Sequence, residues 1–186
     1  VPDLSGSLYV PEMRTLLVAD LHLEKASNIA RRGLHLPPYD TRASLMQLER
    51  TIASCAASRV IFLGDSFHDD EAIARIQPDD LETLKRLSER VETIWITGNH
   101  DPNPPPEAGG RIVSEVSLGP VVLRHEPTIV GEGQFQIAGH LHPAASVSQR
   151  GRQIRCKCFV GNSRQLIMPA FGSFTGSLGV SAEPFQ

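Results

Sequence analysis

Five short motifs rich in histidine and aspartate recur along the chain, and each follows an apolar run. They are Asp20-Leu21-His22, Gly64-Asp65, Gly98-Asn99-His100-Asp101, His125 and Gly139-His140-Leu141-His142. Carboxylate, amide and imidazole groups are ligands for divalent metal ions, and the set contains enough of them for two ions. A histidine left over from such a set could deliver a proton. These are the groups that hydrolysis of a phosphate ester requires.

The motifs differ in how strongly each one indicates function. Asp-x-His triplets and Gly-Asp pairs are common in ordinary loops and turns, whereas Gly-Asn-His-Asp and Gly-His-x-His are less so. Asp20 and His22 are two residues apart, so in an extended segment both side chains point the same way and can hold one ion. The order of all five motifs, each closing an apolar run, indicates a function that no single motif would establish.

Apolar runs of strand length position these motifs. The runs at 15–19, 60–63, 93–97, 121–123 and 135–138 predict strands, and the first three read as strands buried on both faces. Two apolar stripes predict helices: Leu45, Leu48, Ile52 and Cys55, starting near Asp40, and Leu81, Leu84, Leu87 and Val91, with Asp79 as N-cap and Glu82 as its partner. This alternation predicts an α/β domain with the motifs at strand ends, where such sheets bind ligands.

The second half of the chain predicts short strands with few helices. Apolar and basic residues alternate over 154–160, which predicts a half-buried strand with Arg155 and Lys157 outward, after a hairpin tip at 149–152. The proline-rich stretch at 102–106 is interpreted as a loop, because motifs lie on both sides of it. We therefore expect residues 1–186 to form a single domain.

Composition limits the protein class. The chain has 186 residues, 40% hydrophobic and 21% charged, which is ordinary for a globular protein, and no apolar stretch approaches the ~20 residues of a membrane span. Three cysteines and no visible secretory signal favour a reducing cytoplasm. The net charge is −3, yet residues 133–182 contain no acidic residue and five basic ones. That asymmetry fits an anionic partner or simply a solvated basic face.

The motif order resembles that of calcineurin-like metallophosphoesterases, which runs D-x-H, G-D, G-N-H-D/E, H and G-H-x-H. Stretches at 18–25, 31–33, 36–42, 64–69 and 168–172 resemble the ICC-like branch, and in it the ligase-associated DNA damage response endonucleases. The resemblance extends from about Leu8 to Phe174. It implies a metallophosphoesterase-type sandwich of two mixed β-sheets flanked by helices.

The resemblance also implies a two-metal centre and assigns its ligands. One ion would be held by Asp20, His22 and His142, the other by Asn99, His125 and His140, with Asp65 bridging both. Two divalent ions exceed the charge of two carboxylates, so the pocket favours a phosphate ester and a bridging hydroxide. We expect manganese first, with iron and zinc as alternatives, because these donors suit all three metals.

Several residues beside the ligands have predicted or open roles. His100 is expected to protonate the leaving alkoxide or to stabilise charge on the phosphoryl group, with Asp101 orienting its ring; Asp101 could instead cap the following turn. Many superfamily members have aspartate where this chain has His68, and whether His68 or Asp69 contacts the substrate stays open. His35 has no partner pattern and is expected to be a surface or core histidine.

The residues give mixed indications of a DNA substrate. Lys25, Arg31 and Arg32 follow the first motif, and the C-terminal basic strand could extend a track for a polynucleotide backbone. Few aromatic residues are available for base stacking: Tyr39, Phe67, Phe171 and Phe174, the last two being typical of core positions. The slightly negative charge argues against nucleic acid, whereas the resemblance argues for DNA.

Together these patterns predict a cytoplasmic, two-metal phosphodiesterase that uses a metal-bridging hydroxide. The resemblance implies a manganese-dependent DNA endonuclease of DNA repair, with DNA ligase and helicase as partners and no membrane association. The alternatives are a phosphodiesterase or phosphatase for nucleotides or phosphosugars, and a non-catalytic scaffold of the same fold. The sequence does not indicate an oligomeric state.

Overall fold

The structure is a computed structural model that describes residues 1–34 and 36–185, so the expectation for His35 lies outside the described residues. Within these ranges the helices are α1 (Lys25–Arg31), α2 (Asp40–Cys55), α3 (Ala72–Arg75) and α4 (Pro78–Arg90), with short 3-10 helices at Pro11–Met13, Pro106–Ala108 and Glu183–Phe185. None of these helices is both long and apolar enough to cross a bilayer.

The strands of the same ranges are β1 (Leu8–Val10), β2 (Thr15–Val18), β3 (Arg59–Leu63), β4 (Glu92–Ile96), β5 (Arg111–Val113), β6 (Val116–Leu118), β7 (Val121–Arg124), β8 (Phe135–Ala138), β9 (Pro143–Gln149), β10 (Arg152–Lys157), β11 (Val160–Gly161), β12 (Gln165–Ile167) and β13 (Leu178–Gly179). All five apolar runs that predict strands form strands, within one residue at either end. Both helical stripes form helices, α2 and α4.

Two five-stranded mixed sheets and one smaller sheet contain these strands. The first sheet has the order β1-β2-β3-β4-β5, with β2 to β5 parallel and β1 antiparallel at the edge. The second has the order β11-β12-β8-β7-β6, with a parallel centre and antiparallel edges. A three-stranded sheet has the order β10-β9-β13. The predicted α/β sandwich of two mixed sheets with flanking helices is confirmed.

The central strands of the first sheet contribute to two apolar cores. In β3, Val60 and Phe62 pack with the apolar stripes of α2 and α4, whereas Ile61 and Leu63 pack with residues of the second sheet. The ring of Phe62 stacks on Trp95 of β4, with the ring centroids 4.0 Å apart. A strand covered on both faces has no solvent-facing position, which explains the continuous apolar runs.

The start of α4 differs from the prediction. Gln77 precedes the helix without a capping side-chain bond, and Pro78 occupies the first turn, so the prediction of Asp79 as N-cap is wrong. Proline suits this position because its fixed φ is already helical and its missing N–H would have no partner there. Asp79 lies in the first turn, where a negative charge favours the helix dipole.

The hairpin of β9 and β10 is more exposed than predicted. Its tip is confirmed: Arg150 and Gly151 both have positive φ angles, 50° and 74°, as a two-residue hairpin turn requires. The prediction that β10 is half-buried is wrong, because all six of its residues are exposed, including Arg155 and Lys157, which were predicted to face outward. Arg155 and Lys157 instead donate hydrogen bonds to the segment 172–177, so this face carries polar contacts rather than a core.

Two positions on α2 test how much the helix layer stabilises the fold. Leu48 is completely buried, whereas Met46 is 53% exposed. We expect Leu48→Ala to lower the free energy of unfolding by about 2–5 kcal/mol, since it removes packed methyl groups and leaves a cavity. Met46→Ala, the control on the same helix, should change it by about 0.5 kcal/mol or less. Urea denaturation measures both, and equal effects would contradict the core assignment.

Candidate metal centre

The five motifs lie at the carboxyl ends of parallel strands from both large sheets. The first sheet provides Asp20 and His22 after β2, Asp65 after β3, and Asn99, His100 and Asp101 after β4. The second provides His125 after β7, and His140 and His142 after β8. Hydrogen bonds join the two sets, since the His140 N–H donates to the Asp20 carboxylate and Nδ1 of His125 is 2.9 Å from the Leu63 carbonyl oxygen.

The loops that carry these side chains have an unusual backbone. Five site residues have left-handed φ angles: Asp20 (54°), His22 (46°), Asp65 (47°), His140 (70°) and His142 (44°). Residues other than glycine rarely adopt this conformation, and a cost of about 1–3 kcal/mol each is typical of functional sites. The predicted extended segment at Asp20 and His22 is therefore wrong, although both side chains reach the same cluster.

Two motif glycines make room for this packing. A Cβ at Gly64, which has φ +77°, would lie 2.4 Å from Cγ of His125. A Cβ at Gly98 would lie 2.2 Å from Oδ1 of Asp65. Any larger residue at these positions would displace the cluster, which explains why glycine precedes the chemical residues in these motifs.

Six of the predicted ligands form two groups, and the seventh lies against one of them. The nitrogen and oxygen donors within each group are all within 4.8 Å of one another: Asp20, His22 and His142, and Asp65, His125 and His140. Asn99 adds its Oδ1, which is 2.9 Å from Nε2 of His125 and 2.9 Å from Nδ1 of His140.

Asp65, which belongs to the second group, also approaches the first, and it directs one carboxylate oxygen toward each. Its Oδ1 is 3.3 Å from Nε2 of His125, and its Oδ2 is 3.7 Å from Nε2 of His22. Oδ1 also accepts the backbone N–H of His100 at 2.9 Å, which fixes the carboxylate in this orientation. A carboxylate placed this way can serve two ions at once.

Backbone carbonyls set the orientation of two ligand rings. Nδ1 of His125 is 2.9 Å from the Leu63 carbonyl oxygen, and Nδ1 of His142 is 3.2 Å from that of Gly176. Because a carbonyl only accepts, each Nδ1 carries the hydrogen, and in the neutral ring Nε2 presents its lone pair to the cluster. This is the arrangement of histidines that ligate metals.

The chemistry of the donor set fits divalent cations. Asp20 and Asp65 are buried, and in the described part of the chain their ion pairs are all with histidines. Nε2 of His22 and Nε2 of His142 face each other at 3.3 Å, so two lone-pair donors converge on the same point. Buried carboxylates need a positive charge nearby, and converging nitrogens need an acceptor of their lone pairs. A cation satisfies both.

The pKa values of the buried site residues also reflect the need for positive charge beside the carboxylates. Burial opposes ionisation of both Asp65 and His125, but the bond between them lowers the pKa of Asp65 to about 2 and raises that of His125 to about 9. A proton on His125 thus takes the place that a cation would take. Burial lowers the pKa of His22 to about 2, although Asp65 acts in the opposite direction, so this ring is neutral, as a ligand must be.

His100 lies on the exposed rim of the cluster. Its Nδ1 is 2.9 Å from the carbonyl oxygen of His68, so Nδ1 carries a hydrogen and Nε2 is available to solvent or substrate. Its ring stacks on that of His68 with centroids 5.0 Å apart and approaches the His22 ring edge-on at 5.0 Å. These contacts fix the ring beside the two metal-ligand groups.

Of the two residues with open roles, His68 faces the cluster and Asp69 does not. Nδ1 of His68 is 3.3 Å from Nδ1 of His22, and burial lowers the pKa of His68 to about 4. Asp69 accepts hydrogen bonds from Arg75 and Asn28, both at 2.6 Å. His68, His22 and His100 form a further group of ring nitrogens within 4.8 Å. The only sequence signal for a role of His68 was its position shortly after the Gly64-Asp65 motif.

The prediction that Asp101 orients the ring of His100 is wrong. Its carboxylate accepts four backbone N–H bonds at 2.8–3.1 Å, from Gly98, Asp65, Ser66 and Phe67. Burial raises the pKa of Asp101 to about 7, while the N–H bonds from Phe67 and Ser66 favour its charged form. Asp101 therefore fixes the loop that carries Asp65 rather than the ring beside it in sequence.

The residues predicted to contact DNA divide into exposed and buried sets. Phe67 and Phe171 are buried core residues, whereas Tyr39 and Phe174 are 70% and 43% exposed. The core expectation is therefore confirmed for Phe171 and wrong for Phe174. Arg31 is exposed and pairs with Glu71. Only the exposed aromatic rings can stack on a ligand.

The fold and the cluster define a metal-dependent hydrolase of phosphate esters. The family model for calcineurin-like phosphoesterases matches residues 13–135, and the chain belongs to this family. The cluster spans the matched segment and the residues that follow it. The family assignment confirms the predicted class of enzyme and the need for divalent metal.

Solved structures and curated proteins were also compared. The chain is similar to the Pseudomonas putida nuclease MPE, with 32% sequence identity, 96% of this chain and 85% of that chain covered, and a TM-score of 0.77. It is also similar to Yfce, a phosphoesterase from E. coli, with 13% identity, coverage of 87% and 82%, and a TM-score of 0.49. No curated protein matched the chain.

Replacement of Asp101 by asparagine tests its role as an anchor of the loop. The amide group would turn a donor toward backbone N–H groups, and we expect the free energy of unfolding to fall by about 2–4 kcal/mol. His100→Ala, at an exposed position, should change it by about 0.5 kcal/mol or less. Urea denaturation of metal-free protein measures both. An Asp101→Asn variant as stable as the wild type would contradict the anchoring role.

Proposed function

We propose that this chain is a manganese-dependent DNA endonuclease. The observation that carries the proposal is the 32% identity, over 96% of the chain, with a Pseudomonas putida nuclease. The cluster of oxygen and nitrogen donors without cysteine supports manganese, with iron and zinc as alternatives. The resemblance of the motifs to ligase-associated endonucleases supports a role in DNA repair, with DNA ligase and helicase as partners.

In this proposal the seven donor side chains hold two divalent ions. Asp20, His22 and His142 hold one, and Asn99, His125 and His140 hold the other, with one oxygen of Asp65 toward each group. Bound there, the ions would supply Lewis acidity toward the phosphate and acidify a coordinated water. The protein keeps Asp20, His22, Asp65 and His125 buried and leaves Asn99 and His100 exposed, so the substrate enters from the side of these two residues.

His100 is placed to deliver a proton to the leaving group. Its Nδ1–H is held by the His68 carbonyl, so the proton available for transfer is the one on Nε2. Stacking on the His68 ring holds the His100 ring in place beside the cluster. Transfer of this proton to the departing alkoxide converts it to a neutral hydroxyl, which matters most when the alkoxide is strongly basic.

The surroundings of the cluster leave room for a polymeric substrate. A cavity of about 330 Å³ opens beside Asn99 and His125, and Arg124, Glu115 and Glu126 also line it. A second cavity lies next to the loop 172–176, which contacts His142 of the other group. One cavity adjoins a ligand group and the other adjoins a loop that contacts the second group, which suits a strand that continues on either side of the cleaved bond. The three cysteines are free, which supports a reducing compartment such as the cytoplasm.

A closed circle of single-stranded DNA tests the endonuclease directly. We expect wild-type enzyme loaded with manganese to convert circles to linear molecules, since a circle offers no ends to an exonuclease. Asp65→Asn, which keeps the shape of the side chain and removes its charge, should leave the circles intact. Gel electrophoresis separates the two forms.

The same experiment distinguishes the alternative substrate class. If the wild type hydrolyses a small synthetic diester but leaves every circle intact, the enzyme is a small-molecule phosphodiesterase and the proposed DNA function is wrong. Activity with zinc or iron but not manganese would correct only the metal.

His100→Ala tests the proton donor. We expect the variant to retain its metal while cleavage of DNA falls about 10²- to 10⁴-fold, the usual contribution of general acid catalysis. Hydrolysis of a diester with a nitrophenyl leaving group should fall much less, because nitrophenolate leaves without a proton. Metal analysis of dialysed protein and initial rates on both substrates measure this. Wild-type cleavage of DNA by His100→Ala would rule out the assigned role.

A further inference from the structure

An apolar cavity of about 300 Å³ is lined by the exposed rings of Tyr39 and Phe174 and by the loop that contacts His142. We refer to it as the aromatic groove. Its apolar lining consists of Ala26, Leu36, Pro37, Tyr39 and Phe174, and its polar lining of Asp40 and Ser173. Tyr39 is 70% exposed and Phe174 is 43% exposed, whereas Phe67 and Phe171 are buried. Its volume is at the lower end of the range of ~300–1,000 Å³ for small-ligand sites, which suits a compact, flat group.

Hydrogen bonds tie together the three segments that form the groove. The Ala26 N–H at the start of α1 donates to Oδ2 of Asp40 at 2.9 Å. The Ser173 hydroxyl donates to the backbone carbonyl of Asp40 at 2.9 Å, and the Ser173 N–H donates to the hydroxyl of Ser44 at 3.0 Å. The groove is therefore built before a ligand arrives, and binding would not have to order these segments.

The same loop that forms one wall of the groove contacts the metal centre. The Gly172 N–H donates to the backbone carbonyl of Asp20 at 3.2 Å, and the Gly176 carbonyl accepts from Nδ1 of His142 at 3.2 Å. Phe174 is two residues from Gly176, so their Cα atoms are within about 7 Å of each other. A residue that lines the groove therefore lies two positions along the chain from the residue that contacts His142, a predicted metal ligand.

Cationic groups lie along this loop and beside the groove. The Lys157 ammonium donates to the Gly172 carbonyl at 2.8 Å, and Arg155 donates to the carbonyl and the hydroxyl of Ser177. Lys25 directly precedes Ala26 in the lining of the groove. Exposed aromatic rings with cations alongside are the arrangement by which proteins bind single-stranded nucleic acid, with bases stacked and phosphates paired.

We propose that the aromatic groove binds one base of a single-stranded DNA substrate, stacked on Tyr39 and Phe174, next to the phosphodiester that is cleaved. This inference rests on the nuclease function proposed above and adds to it a subsite for the base. Because every base has an aromatic face, the subsite holds the strand in place without selecting a sequence. It also separates DNA from small diesters, which have no base to place in the groove.

Alanine variants of both rings test the subsite in the manganese-loaded enzyme. Removal of one stacking ring costs about 1–3 kcal/mol, so Tyr39→Ala and Phe174→Ala should each lower kcat/KM for a single-stranded oligonucleotide about 5- to 150-fold. Hydrolysis of the nitrophenyl diester should stay within about twofold of the wild type. Tyr39→Phe and Phe174→Tyr keep a ring and should retain activity on DNA. Ile129→Ala removes a side chain that is 97% exposed on another loop and is the matched control.

Two further measurements locate the base. In a series of oligonucleotides with one cleavable bond, an abasic site is moved through successive positions. The wild type should cleave more slowly when the abasic site is at one particular position. Phe174→Ala should show no further loss of cleavage rate at that position. Stopped-flow fluorescence of 2-aminopurine at that position, recorded before cleavage, should show quenching by the wild type and not by Tyr39→Ala. This readout reports stacking rather than catalysis.

The outcomes separate failure of the subsite from failure of the proposed function. Wild-type enzyme that cleaves the diester but no DNA would refute the nuclease function. Wild-type enzyme that cleaves DNA, with alanine variants that cleave it equally well, would overturn the subsite alone. Equal loss on DNA and diester would also overturn it, since the rings would then support the metal centre. So would a change of the alanine variants from dimer to monomer, which would make the groove an interface between copies.

Discussion

Two buried carboxylates, Asp20 and Asp65, lie where the loops of the two large sheets meet, and their charge is the constraint on which the site depends. Each comes from the first sheet and faces histidines of the second. A buried negative charge is costly unless a positive charge is close. The histidines supply one by taking up a proton, as the raised pKa of His125 indicates. Divalent cations would replace that proton and hold the two sheets together at the same point.

The backbone around the cluster has features that serve this arrangement and little else. Five site residues have left-handed conformations, and their side chains converge on the two groups of donors. Asp101 holds the loop of Asp65 through four backbone N–H bonds. The strain in the loops and the buried carboxylates would both be hard to explain in a scaffold without metal. They are ordinary features of a site that is organised before its ligands bind.

Much of the fold could be predicted from the sequence because its signals are local. Continuous apolar runs and three- and four-residue stripes identified the central strands and both long helices. Contacts between distant segments gave no such signal. The loop bonds of Asp101, the exposure of β10 and the exposure of Phe174, which was expected to be a core residue like Phe171, all depend on how loops pack. The motif order placed the donors at strand ends correctly, but the left-handed backbone that directs them could not be inferred from residue type.

The central claim is that the seven donors hold two ions, and a crystal grown with manganese tests it most directly. An anomalous difference map should contain two peaks: one among Asp20, His22 and His142, and one among Asn99, His125 and His140. Asp65 should lie between the two peaks, with one oxygen toward each. A single peak, or a peak held by His22, His68 and His100 instead, would contradict the account.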